Sequence, residues 1–388
     1  MNKRIGSYII KKFTTESYKA YVPPHLPPDP SIDIVSLYPH LEKATIALAE
    51  LNNVAKIVPN ISLFIYMYVR KEALLSSQIE GTQSSFTDLI LFENNQKPNV
   101  STEDVEEVSN YVEAINYGLK RLKSNFPLSL RLICEIHAIL LSGSRGSNKL
   151  PGEFRRSQNW IGGSRPGNAL FVPPPVEKLT DCLSNLEKFI HEHKFNLPAL
   201  IKAGVAHVQF ETIHPFLDGN GRLGRLLISL LLYQEGLLEE PILYLSLYFK
   251  QNRNLYYDLL QQVRLQGAWE AWLEFFLEGI ALSAKQAVKT AIHINALFEA
   301  DLLKIQTLGR SRLSCIEVLE YLKKMPQTSV PLLSKALNIT APTARSALNS
   351  MLKLDIVKEI TAKKRDKIYV YRKYLDILSE GDDPLSYT

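Results

Sequence analysis

The residues best equipped for chemistry lie in twelve consecutive positions, His214-Pro-Phe-Leu-Asp-Gly-Asn-Gly-Arg-Leu-Gly-Arg225. Gly219, Asn220 and Gly221 tolerate backbone conformations closed to bulkier residues. They stand directly before an apolar helical run at 222–235. Free backbone N–H groups and the positive end of a helix dipole therefore converge on one spot, an anion site suited to phosphates. Arg222 and Arg225 are three apart, on neighbouring faces of the first turn. Two cations at that end are slightly unfavourable. A polyanion bound between them would reverse this, because the guanidinium fork matches phosphate oxygens. Asp218 offers a hard oxygen ligand where a magnesium ion would bridge to the phosphates. His214 supplies a group that can take a proton near neutral pH.

Taken singly, these features are weak. Asp-Gly-Asn-Gly is a common turn, and a lone His before Pro is usually structural. A calcium loop is excluded because its sixth position is Leu223 rather than Gly. No G-x-x-x-x-G-K-[ST] occurs in the chain, so a conventional P-loop is excluded too. A base, a metal ligand, an anion loop and two arginines within one short stretch are harder to attribute to structure alone.

Elements must bring these residues together. Apolar residues recur at spacings of three and four from residue 34 to 91, with a second helix expected at 61–77 and Glu80-Gly81 near its end. Further helices are expected at 103–122, 128–141, 176–191 and 197–210, and beyond the break at 214–221 more run to about 308. Residues 142–175 are rich in Gly, Ser, Asn and Pro and hold short β-prone pieces, which predicts a small hairpin with a long loop. The segment Tyr21-Val-Pro-Pro-His-Leu-Pro-Pro-Asp-Pro30 predicts an extended arm on the surface. From 310 to 374 the order is helix at 313–324, helix at 330–337, turn, helix at 341–352, then β-prone runs at 356–360 and 367–371. That is the winged-helix order. The tail 379–388 reads as disordered. The expected division is residues 1–125, 126–309 and 310–388.

The chain has 388 residues, enough for two or three domains with ample core, and an ordinary globular composition. Its net charge of +5 is unevenly spread: residues 311–373 carry 13 basic and 5 acidic residues, a net of +8, which leaves −3 for the rest. Cys134, Cys182 and Cys315 lack metal-ligand or redox spacing, so a disulfide scaffold is excluded and a reducing compartment fits. The basic N-terminus lacks the apolar run and cleavage site of a signal peptide, and no run is long enough to span a bilayer. The expectation is a cytoplasmic protein that does not enter membranes.

The stretch 214–225 resembles the Fic family motif, H-x-F-x-[DE]-G-N-G-R-x-x-R, at every specified position. Pro151-Gly-Glu-Phe-Arg155, Asn159-Trp-Ile-Gly162 and Phe171-Val-Pro-Pro-Pro175 resemble the family's flap hairpin. Val22-Pro-Pro-His-Leu-Pro27 and Glu72-Ala-Leu-Leu-Ser-Ser-Gln-Ile-Glu-Gly-Thr82 resemble the N-terminal region of its bacterial members. The resemblance implies a mainly α fold: a Fic helical core with a small β-hairpin flap, followed by the winged helix-turn-helix domain. It implies transfer of AMP from ATP to a Ser, Thr or Tyr hydroxyl of a target protein and of the chain itself. His214 would be the base, and Asp218 would hold magnesium or manganese. Residues Gly219, Asn220, Gly221, Arg222, Leu223, Gly224 and Arg225 would form the ATP cradle, and Tyr256 and Tyr257 would line the nucleotide. Ile161, Gly162, Gly163 and Ser164 of the flap would hold the target segment by strand addition. Relatives often form homodimers.

Ser76-Ser-Gln-Ile-Glu80-Gly81 fits the family's inhibitory pattern [ST]-x-x-x-E-[GN]. Glu80 would pair with Arg225 and withhold it from the γ-phosphate, with Ser76 on the same helix face. Other readings keep the fold. The chain could remove AMP, with the same glutamate orienting water, or it could transfer UMP or phosphocholine. It could also be a DNA-binding regulator whose Fic domain senses nucleotide, although the intact His214 and Asp218 speak against that. In the winged helix, Thr343, Arg345, Ser346 and Asn349 are the outward candidates, and the basic turn 363–367 could reach a phosphate backbone or a protein partner.

Overall fold

The structure, a computed structural model, describes residues 4–13, 16–57, 61–93, 97–98, 100–143, 146–192, 197–361 and 367–383. Two helices form its centre, α7 (Ala199–Ile213) and α8 (Asn220–Gln234). Both are apolar around most of their circumference, which commits them to burial on nearly every side. Leu223, Leu226, Leu230 and Leu232 of α8 are fully buried, each contributing about 1.5–3 kcal/mol of transfer free energy. Helices α2 (Ile61–Ile79), α4 (Thr102–Lys123), α5 (Leu130–Leu140) and α6 (Val176–His191) pack around this pair. Helix α1 (Ile34–Ile57) lies along the 38-residue helix α11 (Trp269–Gln306). The short helices α3 (Phe86–Glu93), α9 (Ser246–Gln251) and α10 (Arg253–Gln266) complete this part.

The helical core follows the sequence expectation, and three regions differ from it. The N-terminal basic stretch forms an antiparallel hairpin, β1 (Ser7–Phe13) with β2 (Glu16–Val22). Adjacent lysines, Lys11 and Lys12, interrupt its apolar residues and so disguise a strand pattern. The proline arm is non-helical as expected, but it does not simply lie on the surface. Tyr21 and Leu26 are buried, and the Leu26 amide donates to Asn185 Oδ1 at 2.8 Å.

The third difference is the tail. After helix α15 (Arg372–Leu378), residues 379–383 fold back onto α2 rather than extending into solvent. The Asp382 carbonyl accepts from Gln78 Nε2 at 2.6 Å, and its carboxylate accepts from the Phe86 amide at 3.2 Å. Lys250 donates to Gln78 Oε1 at 2.7 Å and to the Gly381 and Asp383 carbonyls. Residues 384–388 of the expected disordered tail lie outside the described residues.

In the C-terminal part, helix α12 (Arg312–Lys324) is followed by β3 (Gln327–Ser329), α13 (Val330–Leu337), α14 (Ala341–Lys353), β4 (Lys358–Glu359) and β5 (Ile368–Val370). The strands pair antiparallel in the order β3-β5-β4. The sequence reading missed β3, which is only three residues long. Most of the basic turn, residues 362–366, lies outside the described residues.

Candidate active site

Helix α7 ends at His214, which takes the left-handed conformation, φ 48° and ψ 61°. Such a conformation is uncommon outside glycine and persists only where the surroundings enforce it. Asn220 closes the loop that follows: its Oδ1 accepts from the Phe216 amide and its Nδ2 donates to the Phe216 carbonyl, both at 2.9 Å. Gly219, at φ 74°, then admits the chain to α8. A β-carbon on Gly221 would come within 2.3 Å of Glu80 Oε1, so only glycine leaves room for that carboxylate.

These residues surround a polar cavity of about 330 Å³, lined by Glu80, Gly81, Thr82, Glu107, His214, Leu217 and residues 218–222. Its size suits a small-molecule ligand. Asp218 reaches it with a half-exposed carboxylate, whose Oδ1 also accepts from the Gly219 amide at 2.6 Å. A carboxylate such as Asp218 beside the first turn of α8 fits magnesium, which usually binds through one or two carboxylates plus substrate phosphates. Among the described residues no group of three or more His, Cys, Asp and Glu could form a cage for a metal ion.

The expected pairing of Glu80 with Arg225 is present. Arg225 Nη2 donates to Glu80 Oε1 at 2.7 Å and to the Ser76 carbonyl at 2.9 Å, while Nε donates to Ser76 Oγ at 2.9 Å. Arg225 is 2% exposed and does not line the cavity, whereas Glu80, at 38% exposed, does. Burial works to raise the Glu80 pKa, but Arg225, with help from Arg222 and His214, outweighs it and holds the carboxyl below its ordinary value. The Arg225 guanidinium is held more firmly protonated than usual: burial opposes this, and Glu80 prevails.

Arg222 is engaged elsewhere, donating to Glu107 Oε2 of α4 at 2.9 Å. Leu223 and Gly224 face the core rather than the cavity. The Gly224 carbonyl meets His207 Nδ1 at 3.0 Å, which assigns the proton to Nδ1 and leaves Nε2 to accept from the Tyr256 hydroxyl at 2.9 Å. Tyr256 is therefore buried in a polar link of the core. Tyr257 packs beside it with its ring tilted by 50° and is partly exposed, with Arg253 over its ring. Neither tyrosine lines the cavity.

Burial pushes the His214 imidazole down to about 4, assisted by Arg264 and Arg155 and opposed by the Glu211 carbonyl and Glu80. At neutral pH the ring is thus uncharged and able to accept a proton. Sequence reasoning missed several residues that hold this arrangement. His137 Nδ1 accepts from the Gly152 amide at 2.9 Å, so its Nε2–H donates to the Asp218 carbonyl at 3.1 Å, and its ring stacks on Phe216. Arg264 donates to Thr212 Oγ1 and to the Glu211 carbonyl, and lies over the Phe171 ring at 4.0 Å.

The flap is a single bridge. The Ile161 amide donates to the Phe171 carbonyl at 2.8 Å, and the Phe171 amide donates back at 3.1 Å. Gly162 and Gly163 turn at positive φ, and with Ser164 they are exposed. Strand β2 joins the flap through the Tyr21 amide, which donates to the Val172 carbonyl at 2.9 Å.

Comparison with known proteins bears on this site. Residues 38–120 match the family described as Fic/DOC family N-terminal, and residues 127–232 match the Fic/DOC family. A protein adenylyltransferase Fic of Drosophila yakuba is 32% identical over 42% of this chain and 30% of its own length. That of Aedes aegypti is 36% identical over 36% of this chain and 25% of its own length. The matches thus span less than a third of those relatives. A solved Fic family protein of Desulfovibrio desulfuricans shares the fold with a TM-score of 0.54 at 18% identity, over 86% of this chain and 96% of its own.

Proposed function

For a chain that belongs to the Fic/DOC family through residues 38–120 and 127–232, we propose the activity of a protein adenylyltransferase held in check by its own Glu80. The observation that carries this reading is the Glu80–Arg225 pair at 2.7 Å, at the edge of a cavity that also holds His214 and Asp218. The target hydroxyl attacks the α-phosphorus of ATP, the bond to pyrophosphate breaks, and His214 takes the hydroxyl proton. The amides at the start of α8 receive phosphate charge, and Asp218 would hold magnesium, which neutralises that charge when bound. The exposed edge at 161–164 holds the target backbone. Glu80 occupies Arg225 until it is displaced.

Labelled ATP or UTP with magnesium, given to the full chain, tests this. The expected result is label on protein from ATP in preference to UTP, absent in His214→Ala and increased in Glu80→Gly. No transfer from either nucleotide by Glu80→Gly would remove the reading. Cys134, Cys182 and Cys315 are free thiols, in accord with a reducing, cytoplasmic setting. Among the described residues no helix is long and apolar enough to cross a membrane.

A second reading concerns residues 310–388, which we take as a winged helix that meets DNA. Its support is the element order, with Arg345, Ser346 and Asn349 exposed along α14. Thr343 is less available, its hydroxyl 2.8 Å from that of Thr340. A salt-dependent gel shift with duplex DNA is expected, and absence of binding at low salt would end this reading.

A further inference from the structure

We propose that Arg155 is a positioning residue that sets the distance between the flap and the His214 imidazole. The proposal rests on the transfer reading above and adds to it how a hydroxyl held at the flap edge comes to face the base.

Arg155 is 1% exposed. A buried cation ordinarily takes a carboxylate partner, yet each of its side-chain hydrogen bonds ends on a backbone carbonyl. Nε donates to His214 at 3.0 Å, Nη1 to Ser157 at 3.2 Å, and Nη2 to Pro174 at 2.5 Å and Ile213 at 3.5 Å. Its own amide donates to the Pro215 carbonyl at 2.9 Å. These acceptors fall into two groups. Ile213, His214 and Pro215 form the turn that presents the imidazole, whereas Ser157 and Pro174 flank the Ile161–Phe171 bridge on its two sides. One planar fork therefore spans both legs of the flap and the catalytic turn. Asn159 reinforces the link, its Nδ2 donating to the His214 and Phe216 carbonyls at 3.1 and 2.9 Å. The left-handed backbone at His214 needs such enforcement. Neutral acceptors on two segments demand the geometry of a guanidinium, which a lysine's point charge lacks.

The test uses the full chain carrying Glu80→Gly, alone or with Arg155→Met or Arg155→Lys. Self-labelling rates are followed against ATP concentration, and hydrogen exchange is followed at the amides of Ile161, Leu170 and Phe171. A displacement of about 1 Å between reacting groups costs roughly 100-fold. The expectation is therefore a kcat lower by about that factor in Arg155→Met, with the KM for ATP unchanged. Flap amides should exchange about tenfold faster while those of α8 keep their protection. Arg155→Lys should recover little, whereas a role through charge alone would be restored. A kcat equal to that of the parent, or unaltered flap protection, overturns the proposal. If Arg155→Met does not fold, Arg155→Ala titrated with guanidinium ion replaces it, and failure of the ion to restore flap protection is equally decisive. If the Glu80→Gly parent transfers nothing, the transfer reading falls, and exchange at the flap still decides the role of Arg155.

Discussion

Replacing Glu80 by Gly should accelerate transfer, and the structure bounds by how much. The carboxylate makes one charge-assisted bond to Arg225 at 2.7 Å. Such bonds contribute about 1.5–3 kcal/mol. Because Glu80 is 38% exposed, solvent screening places the value at the lower end. About 1.5–2 kcal/mol corresponds to a gain of roughly 10–30-fold in apparent ATP affinity. The same change leaves Arg225, at 2% exposed, with only its two bonds to Ser76. Nucleotide-free Glu80→Gly should therefore melt below wild type, and ATP should restore more of its Tm than it adds to wild type. The assay is initial label incorporation over a range of ATP concentrations, with His214→Ala as blank, alongside thermal melts with and without ATP. Equal rates in Glu80→Gly and wild type would refute the argument. So would a Tm gain from ATP no larger in the variant.

Other outcomes follow from the same geometry. With His214 held near 4, transfer by Glu80→Gly should stay flat as the pH falls through 6.5 and decline only near 4; a midpoint at 6.5 in the pH–rate profile would contradict the burial argument. His137 and His214 fold with values near 4 and His207 near 3, so between about 6.5 and 4 the unfolded chain binds more protons. Stability should drop by about 1.4 kcal/mol per pH unit for each fully titrating histidine, measurable by urea melts at stepped pH. Gly224→Ala would place a β-carbon 2.2 Å from Glu211 Oε1 and 3.2 Å from the Phe210 ring. It should cost about 1–3 kcal/mol, and Glu211→Ala in the same chain should recover part of that Tm loss. Truncation after Ser379 removes the bonds that Gln78 and Phe86 donate to Asp382 and those that Lys250 donates to the Gly381 and Asp383 carbonyls. Amides 79–82 should then exchange faster, and unchanged protection there would show the tail to be dispensable for α2.

The sequence was most legible where function is contiguous. The twelve residues from His214 presented the proposed base, metal ligand and phosphate cradle together because one loop and one helix turn bear them all. Glu80 was legible only with a family pattern, since its partner lies 145 positions away. Glu107, His137, Arg155 and Arg264 escaped because their roles depend on partners 52–115 residues distant, often backbone carbonyls, which have no side-chain signature. The helices showed through their period, with α6 and α13 matching to the residue. The N-terminal hairpin did not, because lysines interrupt its apolar alternation and its burial comes from the flap. The residues after α15 looked disordered for a related reason. Gly381 and Asp382 carry few apolar atoms, and their anchoring runs mainly through their own carbonyls.

The fold-back of that tail also orders events during synthesis. Arg225 follows Glu80 by 145 residues, whereas Asp382 follows Gln78 by 304. At roughly 5–20 residues per second, the first interval takes about 7–29 s and the second about 15–61 s. A growing chain thus possesses His214, the start of α8 and Glu80 well before the contact that braces the helix ending beside Glu80. The Glu80–Arg225 pair is assembled early, and the segment that bears Glu80 is secured late.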